Sequence, residues 1–137
     1  MNHRRIVLVI ENEDAIEEVA QLSLETIPGW EVVTTDSVIE AIVKPTTERV
    51  DAILVDLNEI IFDFDWNTIS QLQNNPTTEQ IPIILLTTTE QYKQLPQLSE
   101  FGVTAAIIKP FDLSTLATQV AAALDWEYNI FLLFPLQ

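Results

Sequence analysis

Two carboxylates, an amide, a hydroxyl and an ammonium recur at one kind of place in this chain, the end of a short apolar run. Glu11 and Asn12 follow RIVLVI (5–10), Asp56 closes DAILVD (51–56), Thr87 closes PIILLT (82–87), and Lys109 precedes Pro110 in AAIIKP (105–110). Carboxylate oxygens suit a hard divalent cation, while a hydroxyl and an ammonium can donate to an anion. Singly, each has a plainer use: an Asp at a strand end caps a helix or makes a turn, and Lys-Pro is a turn. The chemistry therefore depends on whether the fold gathers them.

The elements that would gather them are legible. The four runs, with WEVVTT (30–35), are four to six residues long and rich in Val and Ile. Apolar on consecutive positions, they read as strands buried on both faces of a parallel sheet. Between them lie helical spacings. In 14–27 the residues Ile16, Val19, Ala20, Leu22 and Ile27 fall largely on one face, and PGW stops the segment. In 112–126, Asp112 is placed as an N-cap, and Leu113, Leu116, Val120, Ala121 and Leu124 repeat at helical intervals. Pro45 should end the second helix near Val43 or Lys44, and Pro96 should start or break the fourth.

Strands alternating with helices predict an α/β class, βαβ units and a doubly wound five-stranded sheet. In the order 2-1-3-4-5, strands one and three flank the point where strand order reverses, and ligands gather at the carboxyl ends there. Glu11, Asn12, Asp56, Thr87 and Lys109 would then face one shallow pocket. One domain is expected over residues 1–126. The segment EYNIFLLFPLQ (127–137) is too apolar for a free tail, and is expected to pack on the domain or at a dimer contact. With two glycines in the chain, turns must rely on Pro, Asn and Asp.

Composition removes several classes of function. Twenty-one acids against six bases give a formal charge of −15, a field that repels nucleic-acid phosphates and anionic lipid surfaces. There are no cysteines, so disulfides and thiolate metal sites are excluded. The only histidine, His3, precedes the first strand, which leaves neither a histidine catalyst nor a multi-histidine metal site. No apolar run nears the roughly 20 residues that span a bilayer, and a cytoplasmic protein is expected.

VLVIENEDAI, DAILVDLN, IPIILLTT and GVTAAIIKPFD, in this order and at these intervals, resemble the four signature segments of the response-regulator receiver domain. The resemblance covers about residues 4–125. It implies the flavodoxin-like (βα)5 fold, with Asp56 as the phosphoacceptor for a histidine kinase or phosphotransfer protein. It also implies a magnesium cofactor held by Glu11, Asn12, Asp56 and the main-chain carbonyl of Asn58. Thr87 and Lys109 would contact the phosphoryl oxygens, with a cis bond before Pro110 aiming the lysine inward. Output would pass to a partner protein through the face of the fourth helix, fifth strand and fifth helix.

Three places depart from that family. Asn12 stands where the family usually has Asp as a direct metal ligand, so the site loses one negative charge and weaker magnesium affinity is expected. Glu13 and Asp14 are better read as acids opening the first helix, where they favour its dipole. Ala106, the switch position, stands where Tyr or Phe is common, and has no ring to turn. After Asp56, NEIIFDFDW replaces the usual landmarks, and Ile60, Ile61, Phe62, Phe64 and Trp66 are expected in the core rather than at a contact surface.

The expected function is a stand-alone phosphoacceptor that signals by protein contact, at most catalysing its own phosphoryl transfer and hydrolysis. The alternative is a phosphorylation-independent pseudo-receiver, an interaction module that could dimerise through its apolar end. An enzyme acting on a small molecule ranks third, because no Gly-rich phosphate loop follows strand one.

Overall fold

A computed structural model describes residues 5–10, 21–26, 30–56, 69–88, 103–109, 115–124 and 126, with the main chain alone for Thr88 and Lys109. Five strands form one parallel sheet: β1 (Arg5–Ile10), β2 (Trp30–Thr35), β3 (Ala52–Asp56), β4 (Ile83–Thr88) and β5 (Ala105–Lys109). Their order is β2-β1-β3-β4-β5, with every neighbouring pair parallel. This is the doubly wound sheet that the alternating apolar runs predicted, in the flavodoxin-like arrangement that the family resemblance implied.

The strands differ from the sequence reading by single residues at their ends. Asp51 lies just before β3, where its Oδ2 accepts from the Ile6 amide at 2.9 Å and its Oδ1 from Arg49 Nε at 2.9 Å. Pro82, without an N–H to donate, stands before β4 and accepts at its carbonyl from Ile53. At the other end β4 runs on to Thr88, which leaves Thr87 penultimate.

Consecutive burial follows from two covered faces. On one, Val7, Val9, Leu54, Ile84, Leu86 and Ile107 pack with Leu24 and with the C-terminal helix (Leu116–Leu124) through Leu116, Ala117, Val120 and Ala121. On the other, Leu8, Ile10, Ile53, Val55, Ile83 and Leu85 pack with Ala41, Ile69 and Leu72. Each fully buried Leu or Ile contributes roughly 1.5–3 kcal/mol of transfer free energy. The central strand β3 is buried at all five positions.

Local signals set the helices. Residues 21–25 and 69–73 are helical. The helix Val38–Val43 is capped at Ser37, whose Oγ accepts from the Glu40 amide at 3.2 Å, and Thr35 donates to the Glu40 carboxylate at 2.6 Å. It gives way at Lys44 to a short 3-10 turn containing Pro45, as the proline predicted. Asn75 supplies a turn in place of glycine: its Oδ1 accepts from the Thr77 amide at 3.0 Å, while the Thr77 hydroxyl reaches the Ile42 carbonyl at 2.8 Å.

At the amino end of the sheet Trp126 closes the C-terminal helix. Its amide donates to the Ala121 carbonyl at 2.8 Å. Its ring meets Trp30 edge-on, at 5.2 Å between centroids, and Arg5 lies over it at 4.2 Å. Such ring and cation contacts each add about 0.5–1.5 kcal/mol beyond area burial.

Candidate functional site at the carboxyl rim

Parallel strands end at a common rim. Asp56, the last residue of β3, lies opposite Leu86 of β4, so Thr87 is one step further along the neighbouring strand. At a strand spacing near 4.8 Å and a rise near 3.3 Å, their Cα atoms stand about 6 Å apart. Lys109 closes β5 opposite Thr88, two strands from Asp56 and two residues beyond its level, roughly 12 Å from it at Cα by the same spacings. Ile10 pairs with Val55, and therefore β1 ends one residue short of the level of Asp56.

Strand alternation assigns these residues to faces. Asp56 continues the side of Leu54, the face covered by the C-terminal helix. Thr87 continues the side of Leu85, and Ala106, paired with Leu85, packs half-buried against that second cluster. The carboxylate and the hydroxyl thus rise from opposite faces to the same rim. Each is enclosed: Asp56 is 4% exposed and Thr87 fully buried, in a region whose other buried residues are aliphatic. The Asp56 Oδ2 atom is shut off from solvent. A polar side chain held this deep has its partners fixed for it.

Of the predicted metal ligands, Asp56 alone lies among the described residues. Glu11, Asn12 and Asn58 fall outside them, as do Glu13 and Asp14, the loop with Ile60, Ile61, Phe62, Phe64 and Trp66, the segment at Pro96, Pro110, and residues 127–137. Among the described residues no helix is long and apolar enough to cross a membrane.

A groove that sequence reasoning missed lies away from this rim. It has a volume of about 440 Å³, and Leu8, Val33, Thr34, Thr35, Ile39, Glu40, Val43, Lys44 and Thr47 line it. The available signal was the i, i+4 pair Ile39 and Val43 on a helix whose inward residue is Ala41.

Residues 7–121 match the family model of the response regulator receiver domain. Among solved structures, the chain is similar to the chemotaxis response regulator CheY4 of Vibrio cholerae, at 23% identity over 88% of this chain and 98% of that one, with a TM-score of 0.73. It is also similar to the receiver domain of a sensor histidine kinase from Pseudomonas aeruginosa, which has a magnesium ion coordinated in its active-site cleft; here identity is 21% over 90% and 97% of the two chains, with a TM-score of 0.69. The signal receiver domain of a histidine kinase from Syntrophus aciditrophicus shares 25% identity over 88% and 90%, with a TM-score of 0.69. With the matching span taking in all of β2 to β5 and most of β1, the chain belongs to the response regulator receiver domain family, the signalling modules of two-component systems.

Proposed function

We propose that this receiver accepts a phosphoryl group on Asp56 from a histidine kinase or phosphotransfer protein and passes the signal on by protein contact. The observation that carries the reading is the enclosed Asp56 carboxylate at the rim of the central strand, one register step from Thr87, in a chain of this family.

In the proposed reaction an oxygen of Asp56 attacks the phosphorus of a phosphohistidine in line. The new O–P bond forms as the P–N bond breaks, and the electron pair returns to the imidazole, which takes up a proton. The product is an acyl phosphate. Thr87 would donate its hydroxyl to one phosphoryl oxygen and Lys109 its ammonium to another, where charge develops. Because Thr87 belongs to the Leu85 side, its hydroxyl would approach from the face opposite that of Asp56, holding the group from two directions.

The donor set is all oxygen, two carboxylates, an amide and a main-chain carbonyl, which fits a hard cation. Glu11, Asn12, Asp56 and the carbonyl of Asn58 would hold it. When bound, magnesium supplies neutralisation of phosphoryl oxygens during the transfer. Asn12 contributes an oxygen without a charge, so weakened affinity follows; Asn12→Asp should tighten magnesium binding by about tenfold or less, on the scale of one Coulombic contact in a partly wet site.

The neutral Asn12 also favours the second reading, a pseudo-receiver that binds its partner whatever its phosphorylation state. Intact mass after incubation with acetyl phosphate and magnesium separates the two. A gain of about 80 Da, one phosphoryl group, that disappears in Asp56→Ala supports the first. An unmodified chain, even with a cognate kinase, establishes the second.

A further inference from the structure

The exposed large apolar side chains among the described residues are Leu22, Ile39 and Val43. Ile39 and Val43 line the groove on the second face of the sheet, floored by Leu8 and Val33. Leu22 lies on the helix whose Leu24 packs with Trp30 and Val32 on the first face. β2 runs between them as the edge strand of the sheet, paired among the described strands with β1. An edge strand beside an apolar groove invites pairing with other chains unless something protects it.

The chain itself brings a cover to the place. Trp126 is seated against Trp30, the first residue of that edge strand. Beyond it the sequence continues for eleven residues, EYNIFLLFPLQ, with five consecutive large apolar residues at 130–134. Val33 is three residues along β2 from Trp30, about 10 Å. Residues 130–134 can reach about 13–29 Å from Trp126, at 3.3–3.6 Å per residue. The helix after β2 turns back at Ser37, which brings Val43 toward the end where Trp126 lies.

We propose that residues 130–134 of this same chain fold over the β2 edge and seat in the groove formed by Leu8, Val33, Ile39 and Val43. A tethered segment is present at an effective concentration in the millimolar range. A second copy would have to supply its segment against the mutual repulsion of two chains of formal charge −15. The segment therefore closes on its own domain, covering apolar surface on one face and lying along the outer side of β2.

The absence of cysteine makes the test direct, since introduced thiols are the only ones. In full-length Val43→Cys/Phe131→Cys, oxidation should give an intrachain disulfide roughly tenfold faster than in a control with equal tether, Thr104→Cys/Phe131→Cys, whose first thiol stands near the opposite edge of the sheet. Ile39→Cys with Phe131→Cys gives a second pair should Val43→Cys fail to fold. Intact mass and non-reducing gels read the result. Equal rates in groove and control pairs overturn the proposal. So does a disulfide-linked dimer as the main product, which would place a second copy's segment in the groove.

Discussion

The central strand β3 and the edge strand β2 obey the same parallel geometry yet carry opposite kinds of surface. All five residues of β3 are buried, whereas β2 alternates buried and half-buried positions and ends half-exposed at Thr34 and Thr35. A strand covered on both faces and paired on both sides can offer chemistry only at its tip, and Asp56 is there. An edge strand can offer surface along its length, and the groove at Val33 is there. One sheet therefore separates a point-like polar site from an extended apolar one, by strand position alone.

The sharpest way to break this contrast is at the tip. Thr87→Val keeps volume and removes the hydroxyl; the fold should persist, and Asp56 phosphorylation by acetyl phosphate should slow by about 10²-fold, the scale of one lost anion donor. A rate within twofold of the parent would remove Thr87 from the site. Next in size is packing. Leu54→Ala, in β3, should destabilise by about 2–5 kcal/mol in urea unfolding. Val33→Ala, half-buried on β2, should lose less than about 1.5 kcal/mol, and an equal loss at both would abolish the distinction between centre and edge. Smaller still, Ser37→Ala removes the cap that starts the groove helix and should lower the unfolding free energy by about 1 kcal/mol. Least of all, Glu48→Ala breaks the 2.7 Å pair with Lys44, about one-third exposed on each side, and should change thermal unfolding by no more than about 0.5 kcal/mol.

Much of the frame was readable because double-sided burial writes itself as uninterrupted apolar runs. RIVLVI and WEVVTT coincide with β1 and β2 to the residue, and β3 and β4 start one residue late where Asp51 and Pro82 engage neighbouring strands instead of extending their own. The common rim of Asp56, Thr87 and Lys109 was likewise accessible, since parallel strands end together. What the runs could not show was the side from which each residue rises. That requires pairing register, because a shift of one residue turns a side chain to the other face. Thr87 and Ala106 emerge on one face and Asp56 on the other only once Asp56 is known to oppose Leu86. The groove escaped for a related reason. Ile39 and Val43 have helical spacing suited to a core, and only the packing of Ala41 inward leaves them out. The triad of Arg5, Trp30 and Trp126 joins residues far apart in sequence, and no local pattern announces it.

That aromatic clasp has a practical corollary. It fastens the first residue of β1 to Trp126, two residues past the end of the C-terminal helix, at the pole of the sheet farthest from Asp56, six strand residues or roughly 20 Å away. A short peptide bridge between those two points would close the polypeptide into a ring with little strain, and new ends could then be opened in a surface turn such as that at Asn75. A circular permutant of this kind should leave Asp56 undisturbed, and a reporter inserted in the bridge at the clasped pole would stand clear of the rim where the proposed phosphoryl donor would dock.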